Sequence, residues 1–91
     1  MGVVVRVPTP LRRLTDGADK VEANGCDLAE IIEDLEGQYN GFKTRLVDEN
    51  GGLREFVNIY LNGEDVRFVE GTQTQVSSGD EISIVPAVAG G

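Results

Sequence analysis

Apolar residues recur along this chain in two rhythms, and each change of rhythm marks a boundary between elements. Val3 to Val7 is a β-branched run that predicts a first strand, stopped by Pro8 and Pro10. Thr15-Asp16-Gly17, within the stretch from Leu11 to Ala18, is a turn signal. Lys20 to Ala23 alternates polar and apolar residues, as an antiparallel return strand would, and Asn24-Gly25 closes this part. The period then changes. Leu28, Ile31, Ile32 and Leu35 stand at i, i+3, i+4 and i+7, the single stripe of an amphipathic helix. Asp27 is placed to cap its N-terminus with Glu30 three residues on, and Gly37 is the expected stop. Tyr39, Phe42 and Leu46 predict a further short helical segment, weakened by Gly41.

After the polar loop from Asp48 to Gly52 the period returns to two. Phe56 to Leu61 alternates, with Val57, Ile59 and Leu61 on one face and Phe56, Asn58 and Tyr60 on the other. Asn62-Gly63 is a tight-turn pair, Val66 to Val69 a short strand, and Ser78-Gly79-Asp80 a second turn. Ile82 to Val85 is the last strand, closed by Pro86. A hairpin, a helix and returning strands imply an α+β roll, one mixed sheet with the main helix on a single face. The expected division is a folded domain over 1–87 and a tail over 88–91.

Composition narrows the partners. A net charge of −8 across 91 residues argues against nucleic acid, since phosphate binding needs clustered lysine and arginine. It is compatible with plain solubility or with a partner that offers a basic docking surface. Cys26 is the lone cysteine, which excludes an internal disulfide and a cysteine metal cluster and fits a reducing cytoplasm. The apolar start is broken at Arg6 and Pro8, too short for a secretory segment or a membrane span. Without histidine, metal-hydrolase and triad chemistries lose most of their support. The run Asp48-Glu49-Asn50-Gly51-Gly52 has the acidity of a calcium loop, but its ligand spacing and closing residue are wrong, so no metal site is expected.

The remaining chemistry lies in Val88-Ala89-Gly90-Gly91. Two glycines without Cβ atoms can thread a narrow channel and expose a carbonyl from either side. Four extended residues reach roughly 13 Å, enough to enter another protein's active site. A frayed end is the plain alternative.

Strand, Gly-Asp turn, strand and diglycine in that order resemble the MoaD/ThiS family of ubiquitin-like, β-grasp sulfur carriers. The residues concerned are Phe56-Val57-Asn58-Ile59-Tyr60-Leu61-Asn62-Gly63, Gly79-Asp80-Glu81-Ile82-Ser83-Ile84-Val85-Pro86, and the tail. Within the family the likeness is greatest to the cysteine-biosynthesis carriers, through Pro8-Thr9-Pro10-Leu11-Arg12, Glu64-Asp65-Val66-Arg67-Phe68 and Pro86 to Gly91. The resemblance implies that an E1-like adenylating enzyme activates Gly91 with ATP and that a thiocarboxylate forms there. Val88, Ala89 and Gly90 would serve as the threaded stem, with no bound cofactor and no catalytic machinery in the chain itself. The sulfur would pass to a cysteine-synthase-like acceptor enzyme acting on an activated serine.

If the helix covers the face of Ile59 and Ile84, then Phe56, Tyr60 and Val85 point outward. There Tyr60 and Val85 correspond in register to the patch that ubiquitin-like folds offer to activating enzymes, as the resemblance implies. Alternatively Phe56 packs under the loop from Asp48 to Gly52. Other family roles stay open: the small subunit of molybdopterin synthase beside its large subunit, carriers for thiamin or tRNA thiolation, or a protein modifier linked to lysines. Outside that chemistry stands a binding domain with an inert tail.

Overall fold

Val3–Arg6 forms the first strand, β1, and its alternation is explained by what lies on either side. The computed structural model describes residues 2–55 and 57–86. Val3 and Val5 are buried, whereas Arg6 is exposed. The strand ends one residue before the expected Val7, because Pro8 has no N–H to continue a ladder. Val7 still donates to the Asp19 carbonyl at 2.8 Å. Thr9–Thr15 is a 3-10 helix with Pro10 in its first turn, where the sequence signalled only a turn. Asp16 closes it in the left-handed region at φ 55°, and Gly17 N–H bonds back to the Arg12 carbonyl. Lys20–Ala23, β2, then returns antiparallel to β1 with Val3 opposite Ala23 and Arg6 opposite Lys20.

The main helix, α1, spans Leu28–Gln38. Asp27 caps it as expected, its Oδ1 accepting from Glu30 N–H at 2.9 Å. Glu30 reaches back to Cys26 N–H at 2.7 Å, so two otherwise orphaned donors are satisfied. Gly37 does not stop the helix. The helix runs on to Gln38, whose Nε2 donates to the Glu22 carbonyl at 2.9 Å, and Tyr39 N–H closes the last turn on Leu35. The glycine that turns the chain is Gly41, at φ 112°, a conformation disfavoured for residues carrying a Cβ. It caps rather than weakens α2, Phe42–Leu46, and the Glu36 carboxylate accepts from both Gly41 and Lys43 N–H groups.

Val57–Leu61, β3, pairs antiparallel with β5, Glu81–Pro86. β5 also runs parallel to β1, and the sheet order is β2-β1-β5-β3-β4. Asn62 and Gly63 both take positive φ and form the predicted tight turn into β4, Glu64–Asp65. The strand expected over Val66 to Val69 is absent. Val66–Phe68 is a short 3-10 turn, started by Asp65 Oδ1 accepting from Arg67 N–H at 2.9 Å. The turn lets Val66 enter the core, which an edge strand continuing straight would not.

One core joins the sheet to the helices. Val3, Val5, Val21, Ala23, Ile59, Ile82 and Ile84 meet Leu28, Ile31, Ile32, Leu35, Phe42 and Leu46. Val57 and Leu61 are only partly buried at its margin. The segment leading into β5 is tied down by Thr74, which is 2% exposed. Its hydroxyl accepts from Glu70 N–H at 3.2 Å and donates to the Gly71 carbonyl at 2.7 Å, while its own carbonyl accepts from Leu28 N–H. The expected domain boundary between residues 87 and 88 lies outside the described residues.

Two substitutions test these ties. Asp27→Ala should cost about 1 kcal/mol in urea unfolding through loss of the helix cap. Thr74→Val preserves shape but leaves the Glu70 N–H without its partner, the Gly71 carbonyl still accepting from Thr74 N–H at 3.1 Å, and should cost about 1 kcal/mol in the same assay.

Candidate functional site

Val85 is 41% exposed although its neighbours Ile84 and Ile82 are buried, so β5 presents one greasy position outward just before Pro86. The cause is pleat: alternate residues of a strand face opposite sides. Val85 lies opposite Asn58, and Tyr60 opposite Ser83, two rungs apart on the β3–β5 ladder with the inward-facing Ile59–Ile84 rung between them. Tyr60 and Val85 are therefore diagonal neighbours on the uncovered face, both expected there from the sequence, Tyr60 half-buried and Val85 exposed. Phe56, the third residue assigned to this patch, lies outside the described residues, as do Val88, Ala89, Gly90 and Gly91.

The same face carries charge toward β1. Arg6 Nε donates to Glu81 Oε2 at 2.8 Å. That hydrogen bond, and then the carboxylate's charge, raise the guanidinium pKa above its ordinary value. Because the shift is upward, the stabilisation held by the guanidinium is present at neutral pH and is lost as strong alkali titrates the arginine.

At the other edge, Arg67 does something the sequence did not disclose. Its guanidinium donates to Asn58 Oδ1 at 2.7 Å and to the Arg54 carbonyl. The Arg54 carbonyl also accepts from Val57 N–H at 3.2 Å. Val57 in turn pairs with Pro86, the last described residue. Arg67 thus fastens the start of β3, the segment that pairs with Pro86. Its neighbour Phe68 is turned out and is 87% exposed, with Val69 43% exposed. Reading Val66 to Val69 as a strand hid this feature. The available signal was Asp65 two residues before Arg67, the pattern of a side chain that closes a turn on the backbone.

Around the tail's root an open groove of about 580 Å³ is lined by Pro10, Leu11, Arg45, Arg54, Val57 and Pro86 among others. Arg54 is held there by its Nε–H donating to the Thr44 carbonyl at 2.6 Å. Sequence periodicity could not bring these together, since they come from four separate parts of the chain. Among the described residues no cluster of three or more His, Cys, Asp or Glu is placed to hold a metal. Asp48 Oδ1 instead accepts from Asn50 and Gly52 N–H groups within its own loop. Cys26 is exposed. No helix among the described residues is long and apolar enough to cross a membrane.

The architecture, a mixed five-stranded sheet gripping one main helix, is the ubiquitin-like β-grasp fold. Residues 5–91 match the ThiS family, and the chain belongs to it. It is 50% identical over 93 residues to the sulfur carrier protein CysO of Mycobacterium tuberculosis, covering all of both chains. The crystal structure of the Amycolatopsis orientalis BexX/CysO complex is similar at a TM-score of 0.92 and 49% identity, covering 98% of this chain and 99% of that one. Small archaeal modifier protein 3 of Haloferax volcanii is 36% identical over 64 residues, 70% of this chain and 68% of that protein.

The edge fastening is open to direct test. Arg67→Ala should accelerate hydrogen exchange at the Val57 amide while leaving exchange at the Ile82 and Ile84 amides near its original rate.

Proposed function

We propose that this chain is a sulfur carrier protein of cysteine biosynthesis, with Gly91 as the reacting residue. The observation that carries this reading is the full-length 50% identity to CysO. It is joined by a matching fold at TM-score 0.92 and by a family match that runs through residue 91.

The chemistry follows from what a carboxylate lacks. Its leaving group would be oxide, so it does not react with a sulfur nucleophile unaided. An E1-like enzyme transfers AMP from ATP to the Gly91 carboxylate, releasing pyrophosphate. A sulfur nucleophile then attacks the acyl carbon, a carbon–sulfur bond forms and AMP departs with the bonding electrons. When the sulfur arrives as sulfide, the product is a thiocarboxylate, whose soft sulfur can attack the β-carbon of an activated serine and expel its leaving group. Hydrolysis of the acyl–sulfur bond then frees the thiol and restores the Gly91 carboxylate.

The chain acts here as co-substrate and supplies no catalytic group. Gly90 and Gly91 give clearance, and Val88 and Ala89 give an apolar stem for a channel to hold. Tyr60 and Val85 supply the outer-face patch for the activating enzyme, to which Phe56 is assigned from the sequence alone. The CysO of Amycolatopsis orientalis occurs in a complex with BexX, which supports a carrier that works while docked on a partner. The cytoplasm, with its ATP, is the compartment this chemistry requires. Likeness to a small archaeal modifier protein favours one second reading, in which the activated Gly91 is passed to a lysine amine instead.

Intact mass spectrometry separates the two. Incubation with ATP, sulfide and the host's E1-like enzyme should add the mass difference between sulfur and oxygen, located on Gly91. Deleting Gly91 should abolish the change. An enzyme proved competent on another carrier yet leaving this tail unaltered would overturn the thiocarboxylate reading, and higher-mass conjugates would favour the modifier.

A further inference from the structure

Among the described residues Phe68 is the most exposed large apolar side chain, at 87% exposure. It is not a residue the core failed to reach. Val66 on the same turn is buried, and Arg67 is drawn back across the edge to Asn58 and Arg54. The turn is pinned at its start by Asp65. The ring is therefore held outward by an ordered backbone, with the half-exposed Val69 beside it. A protruding, pre-positioned aromatic forfeits the burial that drives folding, and it loses little further conformational freedom on docking.

Its surroundings define what it fits. Glu64, Asp65 and Glu70 stand around the turn, while the charge of Arg67 is engaged with Asn58 and the Arg54 carbonyl. The chain as a whole carries −8. The complementary surface is an apolar pocket rimmed by lysine or arginine. The edge fastened by Arg67 includes Asn58, opposite Val85, and adjoins the Val57–Pro86 rung from which the tail departs. An enzyme that takes hold of residues 88–91 does so within a few residues of that rung.

We infer that Phe68, with Val69, is the anchor by which the tail-activating enzyme recognises this carrier, seated in an apolar pocket with a basic rim. The inference rests on the sulfur-carrier reading above. The activating enzyme is the partner for a chemical reason. Adenylation begins from a plain carboxylate behind two glycines, which offers little to select on, so selection must come from the folded surface. An acceptor can recognise the thiocarboxylate itself.

The test is ATP–pyrophosphate exchange by the host's E1-like enzyme at varied carrier concentration, using the full chain. Phe68→Ser should raise KM for the carrier about tenfold or more, as loss of a central aromatic anchor does, with kcat little changed. Phe68→Trp should recover most of the loss, and Glu70→Lys should raise KM even with the ring intact. The melting temperatures of all three should match the original chain, since these side chains lie outside the core. An unchanged KM for Phe68→Ser, beside active wild-type exchange, overturns the anchor and leaves the carrier reading standing. A loss confined to sulfur transfer from preformed thiocarboxylate assigns the ring to the acceptor and overturns it too. A lowered melting temperature marks a structural role and overturns it equally, and absence of wild-type exchange removes this inference together with the activation step it rests on.

Discussion

Because β5 hydrogen-bonds to β1 on one side and to β3 on the other, nearly every other contact in this molecule depends on where that strand lies. It brings together ends of the chain 75 residues apart, as the Arg6–Glu81 pair shows. Closing so long a loop costs entropy that grows only slowly with length, and the buried side chains of Ile82 and Ile84 offset it by joining the helix stripe. By the same pairing, with Val57 opposite Pro86, the described part of the chain ends on a fixed rung between the central strand β5 and the start of β3.

The two faces of the sheet are thus given different work by a single alternation. Inward residues meet α1 and α2, and the turn at Gly41 directs the chain from one helix into the next. Outward residues are a mixture of paired charge, polar groups and a few apolar positions. Most of that face is an ordinary wet surface. What departs from it lies toward β3 and β4, where Tyr60 and Val85 share a diagonal and Phe68 projects from a turn locked by Asp65 and Arg67. Such features are where a small sulfur carrier can hold specificity, in shape and charge on its folded surface.

Helix α1 was legible because its stripe, its Asp27 cap and its length all agree. The helix end was not, because Gly37 is a local signal overridden by the tertiary bond from Gln38 to the Glu22 carbonyl. The tight turn at Asn62-Gly63 was legible from two residues alone. The stretch after it was misread, since Val66 to Val69 has β-branched character and nothing local says that Val66 must bury while Phe68 must not. Outward placement of Tyr60 and Val85 followed from period two once the helix was assigned a face. The contributions of Arg54 and Arg67 to the site could not follow, because they depend on a guanidinium reaching across elements.

By itself the sequence determined the kinds of elements, their order, and the residues that could carry chemistry, because hydrophobic period, capping and turn preference act over a few neighbouring residues. The tertiary structure alone decided the strand order, the rung on which Pro86 sits, and which exposed side chains stand near it. Those follow from long-range pairing and from competition for a finite core, where burying one residue, Val66, obliges the next but one to face water.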